Sequence, residues 1–239
     1  MKEKIKLLNA AGRAYYQENK EIMSNLEYDR LYDELVDLEK ETGITLSNSP
    51  TIHVGYELLS NLPKERHKKP MLSLDKTKEV KVLKDWLGEN AGILSWKLDG
   101  LTIVMTYLDG KLVKAVTRGN GEAGEVITNN ARVFTNIPVN IAYKGSLILR
   151  GEAVISYSDF EKLNNEIAVM GAKYKNPRNL CSGSVRQLNN KITAERNVHF
   201  YAFTLVKVDG IDFKDSRSEQ LQWLNDQGFG VVEFKKVNS

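Results

Sequence analysis

The stretch covering residues 93–117 constrains the fold of this 239-residue chain most strongly. Its apolar, β-branched segments predict three successive strands, one beginning at Ile93, one over residues 102–107 and one over residues 111–117. Asp109-Gly110 stands between the last two and is typical of a two-residue hairpin turn. The centre of the chain is therefore predicted to be an antiparallel sheet.

A lysine and an aspartate interrupt the first of these apolar segments. Lys97 and Asp99 lie two residues apart, and in a strand they would project to one side while Trp96 and Leu98 face the other. A lysine stem in a sheet is costly unless its amine has a partner or a task. A partly desolvated amine is more often neutral and nucleophilic. These residues alone leave two interpretations open, an ordinary edge-strand lysine and a nucleophile.

Composition excludes several classes of protein. The formal charge of +3 permits contact with nucleic acid without arguing for it, and 41% hydrophobic residues are ordinary for a globular domain. No apolar run approaches the ~18–20 residues that span a bilayer, so no membrane contact is expected. Cys181 is the single cysteine and the three histidines are scattered, which gives no zinc-ligand spacing and fits a reducing compartment. A cytoplasmic protein is expected.

Two helices are predicted before the central sheet. Ser24 opens a capping box for the second helix, and Gly43 is expected to end it. Residues 45–70 are loop-like, and the basic run over residues 64–69 is interpreted as a solvated linker in preference to a phosphate contact. Strands and interspersed helices follow, including a helix over residues 158–170 with a capping box at Ser158. The pattern predicts an α+β fold with a domain boundary in the linker.

Four charged residues stand out in the remaining chain. Arg118 begins a glycine-rich loop after the hairpin, where it could bind a phosphate or simply be a surface arginine. Glu152 lies in an apolar strand, a costly place for a carboxylate unless it accepts strong hydrogen bonds. Arg178 and Arg186 flank a short helix that Asn176 opens, which is either an anion site or a capped surface helix. No P-loop motif, G-x-x-x-x-G-K-[ST], occurs in the sequence.

Lys97-Leu98-Asp99-Gly100 resembles the Lys-x-Asp-Gly motif of covalent nucleotidyltransferases, and its flanks resemble NAD-dependent DNA ligases in particular. The order and spacing of further segments are similar to that family over almost the whole chain. These segments are Glu27-Tyr28-Asp29-Arg30-Leu31, Asn48-Ser49-Pro50-Thr51, Pro70-Met71-Leu72-Ser73-Leu74-Asp75, Thr117-Arg118-Gly119, Gly124-Glu125-Val126-Ile127-Thr128, Arg150-Gly151-Glu152, Asn176-Pro177-Arg178-Asn179 and Gly183-Ser184-Val185-Arg186-Gln187.

The resemblance implies two domains and a reaction. Residues 1–60 would form a helical hairpin domain that recognises the nicotinamide mononucleotide (NMN) half of NAD. Residues 61–239 would form most of an adenylation domain, a mainly antiparallel, ATP-grasp-like nucleotidyltransferase fold with flanking helices that is incomplete at its C-terminal end. Lys97 would attack the α-phosphate of NAD, release NMN and become linked to AMP, with Mg²⁺ as cofactor, for later transfer to the 5′-phosphate of nicked double-stranded DNA. A monomer is expected.

Roles for individual residues also follow from the resemblance. Asp99 would orient the lysine strand, Arg118 and Glu152 would hold the nucleotide with Glu152 near the ribose, and Arg178 and Arg186 would contact phosphate or DNA. The residues expected beside the adenine or the NMN are Ser73, Leu74, Tyr15, Tyr28 and Asp29. No residue is predicted as a metal ligand.

The sequence departs from the family pattern at several positions. Ser95 stands where a glutamate usually reads the adenine, and Tyr16 and Asn25 replace a histidine and an aspartate of the NMN site. Asn120 and Val126 replace two common aspartates. The later lysine-bearing strands, OB-fold, zinc finger, helix-hairpin-helix and BRCT regions of a full ligase lie outside the chain, so weak nucleotide binding and no nick sealing are expected. The alternatives are a catalytically impaired nucleotide- or DNA-binding module and an ATP-using RNA or DNA ligase.

Overall fold

The computed structural model describes residues 1–18, 22–52, 61–71, 74–168 and 173–238. It combines helices with mainly antiparallel strands, which confirms the α+β prediction. The helices are α1 (Lys2–Glu18), α2 (Asn25–Thr42), α3 (Val80–Leu87), α4 (Thr128–Ala131), α5 (Tyr157–Ala168), α6 (Pro177–Val185), α7 (Asn190–Glu195) and α8 (Arg217–Asp226). The strands are β1 (Thr45–Leu46), β2 (Lys64–Arg66), β3 (Gly92–Ser95), β4 (Leu101–Leu108), β5 (Lys111–Thr117), β6 (Ala123–Glu125), β7 (Pro138–Asn140), β8 (Leu147–Val154), β9 (His199–Val208) and β10 (Phe234–Val237).

The first two helices form the predicted helical hairpin. Ser24 caps α2 by accepting a hydrogen bond from the backbone N–H of Glu27 at 3.2 Å. Gly43 ends the helix in the left-handed conformation, with φ 66°, and its N–H bonds to a carbonyl of the last turn. A small apolar cluster joins the pair to the following strand. Its buried members are Ile5, Leu8, Leu35 and Leu46.

A six-stranded sheet in the order β1-β7-β5-β4-β8-β9 forms the centre of the molecule, and its neighbouring strands pair antiparallel. The predicted hairpin between β4 and β5 is confirmed. Asp109 and Gly110 connect the two strands with φ values of 51° and 80°, which are the left-handed angles of a type I′ turn. Short β1 pairs with β7, so the segment after the helical hairpin enters the same sheet.

The sheet has one face in the core and one outer face. Alternate residues of β4 and β8 pack into the core, including Ile103, Met105 and Leu149, all fully buried. Tyr107 is also fully buried, and its hydroxyl donates to the carbonyl oxygen of Pro138 at 2.7 Å. The intervening residues of β4 and β8 point to the outer face, which is the face that carries the candidate site.

Three local predictions are wrong, the first two because a non-local contact prevails. The strand that begins near Ile93 ends at Ser95 and pairs with β10, not with the central sheet. The basic run is not simply a linker, because its first three residues form β2 and pair with β6. Helix α5 begins at Tyr157, and Ser156, not Ser158, caps it by accepting from the N–H of Asp159 at 3.1 Å.

Among the described residues, no helix is long and apolar enough to cross a membrane.

Candidate active site

Lys97 lies in a loop and not in a strand. Residues 96–100 connect β3 to β4 outside regular structure, and the side chains of Trp96, Lys97 and Asp99 are exposed. The expectation that the lysine stem is buried in a sheet, with Asp99 orienting a strand, is therefore wrong. An exposed amine on a short loop can reach a ligand directly. Its usefulness as a nucleophile then depends on how firmly the loop is held.

One end of this lysine loop is held by Glu152. The strand register places Glu152 of β8 directly opposite Thr102 of β4, and its side chain is only 9% exposed. One carboxylate oxygen accepts the N–H of Gly100 at 3.1 Å, and the other accepts the hydroxyl of Thr102 at 2.8 Å. Gly100 has no room for a side chain, since a Cβ there would lie 1.9 Å from the carbonyl oxygen of Ala153. The loop and β8 are therefore in direct contact at this point.

The surroundings of Glu152 act on its charge in opposite directions. Burial raises the pKa of the Glu152 carboxyl, while the hydrogen bonds from Thr102 and Gly100 and the positive charges of Lys97 and Arg178 oppose that rise. The two cations therefore lie within electrostatic reach of the carboxylate. On α6 behind it, burial and the neighbouring Glu152 charge raise the pKa of the Cys181 thiol to about 12. This cysteine is fully buried and belongs to the main hydrophobic core.

The other anchor of the lysine loop is an ion pair. A guanidinium nitrogen of Arg178 lies 2.6 Å from a carboxylate oxygen of Asp99. Arg178 occupies the first turn of α6, where Pro177 is the first residue and the Asn176 side chain caps the helix through the N–H of Asn179 at 2.8 Å. The cap fixes where α6 begins, and the helix in turn fixes the arginine that meets the loop.

Arg118 lies beside the start of β4 on a tightly folded turn. Its N–H donates to the carbonyl oxygen of Thr102 at 2.9 Å, and its guanidinium donates to the carbonyl oxygen of Met71 at 3.3 and 3.2 Å. The Asn120 side-chain oxygen accepts the N–H groups of Glu122 and Ala123 at 3.0 and 2.9 Å. An aspartate oxygen would accept the same bonds, which explains physically how asparagine serves at this position.

Arg186 lies at the C-terminal end of α6, away from the turn that meets the lysine loop. Its guanidinium hydrogen bonds to the carboxylate of Glu125 in β6 and to the hydroxyl of Ser182. Glu125 follows Gly124 in the strand that pairs with the basic segment of β2. The two sequence-predicted arginines of α6 thus have different neighbours, and only Arg178 contacts the lysine loop in the described structure.

The remaining predicted site residues lie earlier in the chain than the lysine loop, and some of them are outside the described part. Tyr28 is half-buried and its ring stacks on that of Tyr32 at a centroid distance of 6.4 Å, while Asp29 is exposed. Leu74 is 80% exposed, and its place beside an adenine stays a prediction. The structure does not describe Ser73 or the side chains of the other three N-terminal positions. Those positions are Tyr15, Tyr16 and Asn25.

Thr102 and the carbonyl group of Met71 are site components that the sequence did not reveal. Thr102 was predicted only as the start of a strand, yet it hydrogen bonds Glu152 across 50 residues of sequence. Strand alternation would have placed its hydroxyl on the outer face, but not opposite a carboxylate. Only the register between β4 and β8 gives that information.

No cage of metal ligands accompanies this site in the described part of the chain. The described histidine, cysteine, aspartate and glutamate residues form no group of three that could hold a metal ion. Mg²⁺ binds through one or two carboxylates together with water and substrate phosphates in many nucleotide enzymes. The residues present would fit Mg²⁺ only in that way, with most of its ligands supplied by a bound nucleotide and water.

Two family models match the chain. The NAD-dependent DNA ligase adenylation domain matches residues 59–239, and the DNA ligase-like, N-terminal NAD+-binding domain matches residues 1–55. A DNA ligase of Ruminiclostridium cellulolyticum is 74% identical over 239 residues, which is 100% of this chain and 36% of that protein. A DNA ligase of Lachnoclostridium phytofermentans is 66% identical over 98% of this chain and 36% of its own length.

More distant relatives carry the same name. A DNA ligase of Helicobacter pylori strain P12 is 38% identical over 99% of this chain and 37% of that protein. The chain therefore spans little more than a third of the length of the curated relatives that it matches. The similarity covers the helical hairpin, the lysine loop and α6 alike.

Proposed function

Because the chain belongs to the NAD-dependent DNA ligase family, we propose that it performs the first step of ligation, the transfer of AMP from NAD to Lys97. The neutral Nζ attacks the α-phosphorus of NAD and forms a P–N bond. The bond from that phosphorus to the bridging oxygen breaks, NMN leaves with the oxygen, and the amine releases a proton. The AMP is then available to the 5′-phosphate of a nick in double-stranded DNA.

The observation that carries this proposal is the anchoring of the lysine loop at two adjacent residues that follow Lys97 in the motif, Asp99 and Gly100. Asp99 pairs with Arg178 at 2.6 Å, and Gly100 donates to Glu152 at 3.1 Å. Lys97 is exposed between β3 and these anchors. A nucleophile held in place converts an encounter with substrate into a nearly unimolecular step, which can lower the barrier by several kcal/mol, on the order of 7–11 in well-oriented cases.

The proposed roles of the neighbouring charges follow from their chemistry. Arg118 and Arg178 supply positive charge for the phosphates, and the Glu152 carboxylate accepts from a ribose hydroxyl. Mg²⁺, bound mainly by the phosphates, would balance charge that develops at phosphorus. Arg186 is proposed to contact phosphate or DNA. The proposed contacts to adenine and to NMN are Ser73, Leu74, Tyr15, Tyr28 and Asp29.

We also propose that the protein acts in the cytoplasm as a monomer, on nicked DNA, in the context of the longer relatives. The 239-residue chain by itself is expected to bind NAD weakly and not to seal nicks. A nick-sealing assay on a labelled duplex tests this expectation, and sealed product from this chain alone would contradict it.

A direct test is to incubate the chain with Mg²⁺ and NAD, ATP or GTP and to record its intact mass. We expect an added AMP with NAD only, and none in the Lys97→Ala variant. Lys84→Ala, an exposed lysine in the last turn of α3, is the matched control and should retain the adduct. An adduct that survives Lys97→Ala would refute the nucleophile assignment.

The same experiment distinguishes the alternatives. An adduct formed with ATP or GTP in place of NAD would indicate an ATP-using or GTP-using ligase. Binding of NAD or AMP without any adduct would indicate a nucleotide-binding module that has lost the transfer step.

A further inference from the structure

We propose that Thr102 is a positioning residue that fixes the Glu152 carboxylate so that one group serves both the lysine loop and the nucleotide. This inference rests on the proposed function and names a residue that the Lys-x-Asp-Gly motif does not include. Thr102 does not need to touch the substrate. It acts through the carboxylate that lies opposite it.

The hydrogen bonds divide the carboxylate into two halves. The Glu152 Oε1 atom accepts the N–H of Gly100 at 3.1 Å, and the Oε2 atom accepts the hydroxyl of Thr102 at 2.8 Å. Each carboxylate oxygen can accept about two hydrogen bonds, so one further position remains on each. With both oxygens held, rotation of the carboxylate would break one of the two bonds. Its remaining acceptor positions therefore have a fixed direction.

Burial makes this arrangement sensitive to the loss of a donor. Glu152 is 9% exposed, and an ionised carboxylate in such a place depends on its hydrogen bonds and nearby cations. Lys97 of the loop and Arg178 of α6 supply positive charge. Further titratable groups lie near Glu152. Tyr201 of β9 is its cross-strand partner, Arg150 stands two residues earlier in β8, and Cys181 lies on α6.

Removing the Thr102 hydroxyl should therefore have two consequences. Glu152 would take up a proton at a higher pH, because one interaction that favours its charged form is lost while its burial is retained. The carboxylate would also be free to turn away from the ribose and from Gly100. Both effects weaken NAD binding. Because protonation of Glu152 increases as the pH falls, NAD binding should weaken more at low pH.

The test compares Thr102→Val, which keeps the shape and removes the donor, with Thr102→Ser, which keeps the donor. Adduct formation with NAD and Mg²⁺ is measured in the full chain from pH 5 to 8. For Thr102→Val we expect about a tenfold rise in the NAD concentration for half-maximal rate and a shift of the acid limb to higher pH by about one unit. Thr102→Ser should restore both. Unchanged pH profiles in Thr102→Val would overturn the proposal.

The matched control is Thr106→Val, four residues along β4 on the same outer face and opposite Lys114 and Ile148. It removes a hydroxyl from the same strand without affecting Glu152, so it should leave the pH profile unchanged. If Thr102→Val does not fold, Thr102→Ala carries the same expectation. An equal shift in Thr106→Val would also overturn the proposal, because it would indicate a general effect on the strand.

A second readout is independent of catalysis. The ¹³C resonance of the Glu152 carboxyl, assigned by its loss in Glu152→Gln, reports the protonation of this group directly. It should titrate at a higher pH in Thr102→Val than in the wild type. If the wild type forms no adduct with NAD, the proposed function fails, yet this titration still decides the role of Thr102. An identical titration in both proteins would refute it.

Discussion

The ion pair between Asp99 and Arg178 should matter far more to the reaction than to stability. The two side chains lie 2.6 Å apart but are 73% and 54% exposed. Ion pairs in such exposed positions contribute only about 0–1 kcal/mol to folding, because water screens them and two side chains must be ordered. The Asp99→Asn variant should therefore lower the free energy of unfolding by less than about 1 kcal/mol.

The expected effect on the reaction is larger because of where the pair lies. Asp99 is two residues from Lys97, and Arg178 is the contact that joins this part of the loop to α6. Loss of the pair leaves the lysine loop held mainly through Gly100. A displacement of about 1 Å at a reacting group can reduce the rate about a hundredfold. That factor corresponds to about 2.7 kcal/mol in the barrier, well above the expected stability change.

The assay is a single-turnover measurement of the Lys97–AMP adduct in Asp99→Asn, Arg178→Gln and the double variant, alongside urea unfolding of each. We expect strong non-additivity in the rates, with the double variant close to the slower single variant. Asp209→Asn is the control, because its ion pair with Lys207 at 2.9 Å is similarly exposed and lies at the end of β9. A rate within twofold of wild type in Asp99→Asn would refute the positioning role. A loss of more than about 2 kcal/mol in the free energy of unfolding would also refute it, because the ion pair would then be mainly structural.

Further predictions concern the core and the start of α6. Tyr107→Phe removes the buried bond to Pro138, and urea unfolding should show a loss of about 1 kcal/mol; no change would indicate that the hydroxyl is not needed. Cys181 is fully buried, and burial raises the pKa of its thiol to about 12. Iodoacetamide at pH 8 should therefore modify it only after unfolding, and rapid labelling of the folded protein would contradict its placement. Asn176→Ala removes the α6 cap and should lower the free energy of unfolding by about 1 kcal/mol. Asn176→Asp retains a capping oxygen and should keep that stability.

Local signals in the sequence predicted much of the architecture. Ser24, Gly43 and Asn176 mark helix ends as expected, and Asp109-Gly110 forms the expected turn. Each of these depends on backbone angles and hydrogen bonds within a few residues, which is why the sequence is sufficient. The prediction of Ser158 as the cap is wrong because Ser156, two residues earlier, provides the capping hydroxyl, and the helix therefore begins at Tyr157.

The sequence by itself determined which chemical groups are present and their order: a lysine and an aspartate in one motif, a carboxylate in an apolar strand and arginines at a short helix. It could not determine that Lys97 lies in an exposed loop, because the strand that should contain it ends at Ser95 to pair with β10. Nor could it place Thr102 opposite Glu152 or Arg178 against Asp99. Those contacts join residues 50 and 79 apart in the chain. They depend on strand register and on the packing of α6, which only the tertiary structure sets.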